Sequence, residues 1–195
     1  MDKARIAVLV SGGGTNLQAL IDAEHSGILT SGEIVLVCSS NPDAFALTRA
    51  KNNGIETHVI ENEQDLISQL ESHNIDLIIL AGFMTILSPE VIKRYPERII
   101  NVHPALIPSF CGKGFYGLKV HEKALEYGVK VTGATVHFVN EIPDGGKIIY
   151  QKAIDILDDD TPQSLQKRVM ENCEWILLPK AAEKVSKEIV GSREK

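Results

Sequence analysis

Three short segments of the sequence hold residue types that could act chemically on a small molecule. The first is Asn101-Val102-His103-Pro104, in which an amide and an imidazole are two positions apart. Side chains two positions apart on a β-strand point to the same face, so Asn101 and His103 could converge on one atom. An amide N–H and a protonated imidazole would together stabilise an oxyanion. Taken alone, this spacing is common and equally compatible with a structural role.

A carboxylate stands in the second segment, Pro143-Asp144-Gly145-Gly146, on a glycine-flanked turn between two predicted strands. Such a turn usually has only a structural role. If it lies near His103, however, Asp144 would stabilise the protonated imidazole and accept or relay a proton. The two segments would then form a single Asn/His/Asp site, although the sequence alone does not bring them together.

The third segment is a glycine turn, Gly12-Gly13-Gly14-Thr15-Asn16, between a predicted strand and a predicted helix. Backbone N–H groups at a helix N-terminus bind phosphate, and the Thr15 and Asn16 side chains could add donors. A dinucleotide fingerprint is disfavoured because Leu17 stands where it needs a small residue, and no Gly-Lys-Ser/Thr follows as in a P-loop. A glycine turn required only by backbone geometry remains an alternative.

Several other kinds of catalytic centre are disfavoured. Ser11 precedes its glycines instead of lying within Gly-x-Ser-x-Gly, so covalent acyl catalysis is not indicated. The cysteines form no Cys-x-x-Cys pair and the remaining histidines have no metal-ligand spacing, so we expect neither disulfides nor a metal ion. These residues are Cys38, Cys111 and Cys173, and His25, His58, His73, His121 and His137.

The composition limits the class of the protein. The 195 residues, 44% hydrophobic and 24% charged, fit one globular domain. A formal charge of −6 disfavours binding to the nucleic-acid backbone as the main function of the protein. No apolar run approaches the roughly 20 residues of a membrane-spanning helix, and no signal peptide is recognisable. Together with the unpaired cysteines, these features predict a cytoplasmic protein without a membrane partner.

Short apolar runs alternate with amphipathic segments through the first half, which predicts an α/β fold. We expect a mainly parallel sheet with helices on both faces, followed by an antiparallel pair of C-terminal strands. Residues 104–117 hold two prolines and three glycines without periodicity, which predicts a long loop that takes part in function. The predicted strands are 6–10, 33–39, 56–60, 77–81, 98–102, 131–140 and 147–154, and the predicted helices are 16–24, 44–53, 64–73, 89–94, 118–127 and 161–190.

Taken in order along the chain, these segments resemble the phosphoribosylglycinamide (GAR) formyltransferase family, which is folate-dependent. The resemblance covers essentially the whole chain and is carried by residues 11–16, 81–89, 101–108, 133–137 and 144–146. It implies a Rossmann-like sheet. It also implies transfer of the formyl group of 10-formyltetrahydrofolate to the amine of GAR, in de novo purine biosynthesis, without a metal ion.

The resemblance assigns roles to matching positions. It implies that Asn101, His103 and Asp144 are catalytic. It implies that GAR contacts Gly12, Gly13, Gly14, Thr15, Asn16, Pro104 and Glu174. The folate would contact Met84, Thr85, Ile86, Leu87, Val139, Asn140 and Glu141. Secondary candidates for the site are Thr135, His137 and Lys113.

The same resemblance implies one formyltransferase domain over 1–195, with a phosphate-binding part at about 1–100 and a folate-binding, catalytic part at about 101–195. GAR and 10-formyltetrahydrofolate are then the small-molecule partners. The chain would act as a monomer or a homodimer, without nucleic acid.

Some positions depart from the family pattern, and rival functions remain. Thr85 stands where some members carry a basic residue on the folate side, Ala105 and Ile107 differ from the usual Ser-Leu-Leu, and residues 110–115 form a variant loop.

A methionyl-tRNA formyltransferase would carry an additional C-terminal domain, and a formyltetrahydrofolate deformylase would carry an N-terminal regulatory domain. We expect neither here. A non-catalytic nucleotide-binding module would satisfy the glycine turn but would leave Asn101, His103 and Asp144 without a role.

Overall fold

The computed structural model describes residues 2–193 of the chain, which form one seven-stranded sheet with flanking helices. The strands are β1 (Ala4–Val10), β2 (Gly32–Ser39), β3 (Glu56–Val59), β4 (Leu77–Leu80), β5 (Ile99–His103), β6 (Val131–Phe138) and β7 (Ile148–Asp155). The helices are α1 (Thr15–His25), α2 (Phe45–Asn52), α3 (Glu63–Ser72), α4 (Pro89–Arg94), α5 (Leu118–Tyr127), α6 (Pro162–Val169) and α7 (Trp175–Arg193).

The sheet has the order β3-β2-β1-β4-β5-β6-β7. Strands β1 to β5 pair in parallel, whereas β6 pairs antiparallel with β5, and β7 antiparallel with β6. The predicted α/β class and the antiparallel C-terminal strands are therefore confirmed, and β4 lies at the centre of the sheet. Because β1, β4 and β5 run in one direction, their carboxyl ends and the loops that follow them meet at one edge of the sheet.

Side-chain alternation along the strands divides the core into two layers. Ile6, Val8 and Val10 of β1 face one apolar cluster, which also holds buried residues of α1 and α7. Ala7 and Leu9 face the other cluster, which contains residues of α3 and α4. Both faces of β1 are thus buried, as expected for a central parallel strand that reads as a continuous apolar run.

Two helix boundaries follow directly from capping. Helix α4 begins with Pro89, and the Ser88 side chain accepts hydrogen bonds from the N–H groups of Glu90 and Val91. Helix α5 ends before Gly128, which has a φ of 81°, the left-handed conformation that a glycine adopts without strain. The observed spans of these two helices agree with the predicted spans 89–94 and 118–127.

The C-terminal helix differs from its prediction. Instead of one uninterrupted helix over 161–190, α6 and α7 are separated by a π-helical turn, Met170–Glu174. A π-turn adds a residue to the helical turn and so shifts which side chains face inward. Here the turn buries Cys173 and Glu174, and it places the Glu174 carboxylate against α1.

Among residues 2–193, no helix is both long enough and apolar enough to span a membrane.

Candidate active site

The register between β5 and β6 sets the geometry of the site. Asn101 stands opposite His137 and His103 stands opposite Thr135, and Asn101 and His103 share a face of β5 as their spacing predicts. Directly opposed residues of antiparallel strands have their side chains in contact range. The distance from Asn101 Nδ2 to His137 Nε2 is accordingly 3.2 Å.

Asp144 reaches this face from the turn between β6 and β7. Its own φ is 56°, in the left-handed region, and Gly146 packs so closely on β6 that a Cβ there would lie 1.7 Å from the Phe138 carbonyl oxygen. This tight turn places Asp144 Oδ2 3.6 Å from His103 Nδ1 and Oδ1 3.5 Å from His137 Nε2. The structure therefore brings Asn101, His103 and Asp144 together, with His137 between the amide and the carboxylate.

The loop that follows β5 covers the imidazole of His103. The Nε2–H of His103 donates to the Phe110 carbonyl oxygen at 2.8 Å, and the Gly112 N–H donates to Asp144 Oδ2 at 2.8 Å. The Phe110 ring packs edge-on against Tyr127 of α5, with ring centroids 6.0 Å apart. These backbone contacts were not predicted from the sequence, although the irregular composition of residues 104–117 predicted a loop that takes part in function.

The electrostatics of the cluster favour a charged Asp144. Burial of the Asp144 carboxyl raises its pKa, but the neighbouring His103 and the hydrogen bond from the Gly112 N–H outweigh that effect and leave the pKa below its ordinary value. An imidazole next to a carboxylate can donate an N–H to a substrate and pass a proton on. The pair can therefore stabilise negative charge on a substrate and help a proton to move.

An apolar cavity of about 150 Å³ opens beside the cluster, and Asn101, His137 and Asp144 form part of its wall. All seven positions predicted on the folate side line it: Met84, Thr85, Ile86, Leu87, Val139, Asn140 and Glu141. Five further residues line the cavity: Leu80, Phe83, Ile92, Ile142 and Pro143. The sequence reasoning missed Leu80, Phe83 and Ile92, and the signal that could have found them is their position in apolar segments near the predicted residues. The cavity suits a flat apolar group held beside the reacting atoms.

The predicted phosphate-binding turn has an open helix N-terminus. Gly14 precedes α1 with a φ of 71°, and a Cβ on it would lie 2.6 Å from the Cβ of Ala46, so only glycine fits. No side chain caps this helix, which leaves the first N–H groups of α1 for an anion. The Gly13 carbonyl oxygen accepts a hydrogen bond from Arg49 Nε at 2.8 Å, which braces the turn.

A polar pair lies beside this turn. Asn16 Nδ2 donates to Glu174 Oε2 at 2.7 Å, while Asn16 Oδ1 is buried with no hydrogen-bond partner among the described residues. Burial raises the pKa of the Glu174 carboxyl above its ordinary value, and the hydrogen bond from Asn16 only partly opposes this. Buried polar atoms of this kind normally have partners, so the pair is suited to bind a polar ligand such as a sugar hydroxyl.

The remaining predicted positions have different surroundings. Thr135 is fully buried, donates to the Ala105 carbonyl oxygen at 2.7 Å and accepts from the Ile107 N–H at 3.1 Å, so it anchors the chain after Pro104. Pro104 is half-buried where β5 enters that loop. Lys113 is exposed on the loop itself. Thr135 thus contacts the protein backbone, whereas Lys113 is accessible to a ligand.

Two other findings bear on the location of the site. Within residues 2–193, no group of three or more His, Cys, Asp or Glu side chains is arranged to hold a metal ion.

A larger cavity of about 520 Å³ lies between α1 and α7, lined by residues that include Thr15, Arg49 and Trp175. Because the Asn101–His137–Asp144 cluster lines the smaller cavity, we assign the chemistry to the smaller one.

Comparison with known proteins identifies the family. The model of a family described as formyl transferase matches residues 4–181. The chain belongs to the formyl transferase family. The resemblance inferred from the motifs is thereby confirmed at the level of the family, and the matched range includes every position assigned above.

Individual members of this formyl transferase family are similar over most of the chain. Phosphoribosylglycinamide formyltransferase of Haemophilus influenzae is 40% identical over 176 residues, which cover 86% of this chain and 80% of that protein. The chloroplastic phosphoribosylglycinamide formyltransferase of Arabidopsis thaliana is 36% identical over 178 residues, which cover 86% of this chain but only 61% of that protein. The crystal structure of phosphoribosylglycinamide formyltransferase from Anaplasma phagocytophilum superposes with a TM-score of 0.88 at 36% identity, covering 96% of this chain and 88% of that one.

Proposed function

We propose that the protein transfers the formyl group of 10-formyltetrahydrofolate to the amine of GAR, giving formyl-GAR and tetrahydrofolate. The observation that carries the proposal is the cluster of Asn101, His137 and Asp144 in the wall of an apolar cavity, with His103 beside Asp144. The names of the relatives from Haemophilus influenzae and Arabidopsis thaliana support the same reaction.

GAR would occupy the edge of the sheet between the glycine turn and the cluster. Its phosphate would accept from the N–H groups of residues 12–16 at the N-terminus of α1, with the dipole of the helix adding to the attraction. Its ribose hydroxyls would pair with Glu174 and with the unpartnered Oδ1 of Asn16. Pro104 would border the path of the glycinamide toward His103.

The formyl donor would occupy the apolar cavity beside Asn101. Its pterin ring would lie among Met84, Ile86, Leu87 and Val139, and the backbone and side chains of Thr85, Asn140 and Glu141 would provide polar contacts. Ser11 links the two substrate regions, because its Oγ accepts a hydrogen bond from the Met84 N–H at 3.0 Å. The two substrates would therefore share one domain and one edge of the sheet.

The reaction requires stabilisation of charge and transfer of a proton. The neutral amine of GAR attacks the formyl carbon, a C–N bond forms, and the carbonyl oxygen becomes negative. The N–H groups of Asn101 and of His103 stabilise this oxygen, and Asp144 orients the imidazole. The amine loses a proton, the folate nitrogen N10 gains one, and the bond from N10 to carbon breaks as the carbonyl re-forms.

His103 must change one hydrogen bond for this step. Its Nδ1 faces Asp144 and its Nε2–H donates to the Phe110 carbonyl oxygen, so both ring nitrogens are engaged. The developing oxyanion would replace the Phe110 carbonyl as the acceptor, which requires a shift of the loop. A charged acceptor forms the stronger bond, so the exchange favours the transition state over the ground state.

A formyl-transfer assay tests the proposal. The protein is incubated with 10-formyltetrahydrofolate, with and without GAR, and the formation of tetrahydrofolate and formyl-GAR is followed by absorbance and mass spectrometry. Formation of both products in equal amounts, only when GAR is present, is the expected result. Loss of the formyl group at the same rate without GAR would assign a hydrolase, and no loss in either condition would leave a nucleotide-binding module.

A further inference from the structure

The imidazole of His137 has three polar neighbours and almost no contact with solvent. It is 2% exposed, and its Nδ1 lies 2.8 Å from the Phe138 carbonyl oxygen. Its Nε2 lies 3.2 Å from Asn101 Nδ2 and 3.5 Å from Asp144 Oδ1. The ring therefore has one fixed contact, at Nδ1, and two competing ones, at Nε2.

The fixed contact determines the tautomer. A carbonyl oxygen only accepts, so the proton of a neutral His137 is on Nδ1, and Nε2 carries a lone pair. That lone pair accepts from the NH2 group of Asn101, which is the nearer of its two neighbours. If Nε2 carried a proton for Asp144 instead, it would face the NH2 group at 3.2 Å, and the amide would have to turn its oxygen toward His137.

The orientation of the Asn101 amide decides whether it can stabilise an oxyanion. The NH2 group has two hydrogens. With one donated to His137, the other remains for a substrate in the cavity that Asn101 lines. The amide oxygen and nitrogen occupy almost the same shape, so only hydrogen bonds distinguish the two orientations. The reversed amide would direct its electron-rich oxygen where the donor is needed.

We infer that His137 is a positioning residue, which acts as a neutral acceptor to hold the Asn101 amide with an N–H directed at the formyl oxygen. The inference rests on the proposed function, because it assigns His137 a task in that reaction. It separates the two imidazoles of the site: His103 acts as a charged donor, and His137 acts as a neutral acceptor fixed by the carbonyl of the next residue.

Removal of the acceptor tests this role. The variants are His137→Phe, which keeps the ring shape, His137→Leu, and His137→Gln, whose amide oxygen restores an acceptor. We expect the Phe and Leu variants to lower kcat by about 10- to 100-fold, less than the loss for an entire oxyanion donor, with KM for both substrates changed by less than about 2-fold. We expect the Gln variant to recover most of kcat.

A double-mutant cycle with Asn101→Ala makes the test specific. If His137 acts through Asn101, His137→Phe and His137→Leu change kcat by less than about 2-fold in the Asn101→Ala background. Equal fractional losses in both backgrounds would overturn the inference, as would a raised KM at unchanged kcat. Thermal midpoints show whether the Phe and Leu variants fold. If they do not, His137→Gln decides the test, and a kcat of His137→Gln as low as that of Asn101→Ala would overturn the role of the acceptor. A wild-type protein without GAR-dependent transfer would instead overturn the proposed function.

Discussion

Asp144 Oδ2 lies 3.6 Å from Nδ1 of His103, and the loop over residues 110–112 contacts both residues of this pair. The Phe110 carbonyl holds the far side of the imidazole, and the Gly112 N–H donates to the same carboxylate oxygen that faces His103. The distance between the carboxylate and the imidazole therefore depends on the loop as well as on the sheet and on the turn that carries Asp144.

Removal of the Asn16 side chain should weaken GAR binding. Asn16→Ala removes the donor to Glu174 and the unpartnered amide oxygen beside the glycine turn. We expect the dissociation constant of GAR to rise by an amount equivalent to roughly 1–2 kcal/mol, as for one charge-assisted hydrogen bond. Isothermal titration calorimetry measures this directly. The matched variant Asn172→Ala alters an exposed asparagine that bonds the Arg168 carbonyl, and it should bind GAR normally. Unchanged affinity in Asn16→Ala would place GAR elsewhere.

Stability should fall in mild acid because of His121. This imidazole is fully buried on α5, and neither ring nitrogen has a partner among the described residues. Burial lowers its pKa from 6.5 to about 4, with the charge of His103 as a smaller cause. Between these two pH values His121 binds a proton in the unfolded chain but not in the folded chain. The free energy of unfolding is therefore unaffected by His121 above pH 6.5 and declines as the pH falls toward 4.

Denaturant unfolding at several pH values measures the contribution of His121. The difference in unfolding free energy between pH 7 and pH 4.5 should be smaller in His121→Leu than in the wild type, by on the order of 2 kcal/mol. The comparison between variants removes the contributions of other titrating groups. Identical pH dependence in the two proteins would show that His121 is not the titrating group.

The turn that carries Asp144 should tolerate no side chain at Gly146. A Cβ there would lie 1.7 Å from the Phe138 carbonyl oxygen, so Gly146→Ala must push the turn away from β6 and move the carboxylate. We expect a loss of roughly 2–4 kcal/mol in stability and a fall in kcat of more than about 10-fold. Gly191→Ala is a suitable control, since an added Cβ would meet nothing within 4 Å apart from the adjacent backbone of its own helix. Equal activity in both variants would contradict the role of the turn.

The folate side of the cavity should disfavour an anionic tail. Glu141 and Asp144 are the charged residues among those that line the cavity, and Glu61 and Glu63 line an adjoining cavity that shares Thr85. Thr85→Arg should lower the KM of the formyl donor by about 2- to 5-fold, the usual effect of one exposed ion pair, and added salt should remove the gain. A donor analogue without the glutamate tail is the control. The same fall in KM for that analogue would exclude a charge effect.

Local patterns accounted for most of the secondary structure. Alternation and apolar runs predicted all seven strands to within about two residues at each end, which is the ordinary uncertainty of such boundaries. Residue spacing also predicted that Asn101 and His103 share a face. The division of the C-terminal helix could not be predicted, because the π-turn at Met170–Glu174 has no signature in composition.

The assembly of the site depends on relations that a single sequence does not contain. The contact between Asn101 and His137 follows from the antiparallel register of β5 and β6, and sequence patterns fix faces but not the partner strand. The approach of Asp144 to His103 follows from the close packing of Gly146 on Phe138. The motif resemblance pointed to these residues, but the distances between them required the fold.

The kinetics of Asp144→Asn test the central claim most directly. The substitution keeps the shape of the side chain and removes the charge that faces His103. In single-turnover experiments with saturating GAR and 10-formyltetrahydrofolate, the rate of formyl transfer should fall by at least about 100-fold, while calorimetry gives an unchanged dissociation constant for GAR. A wild-type rate of transfer in Asp144→Asn would contradict the account, because the carboxylate would then have no part in the reaction.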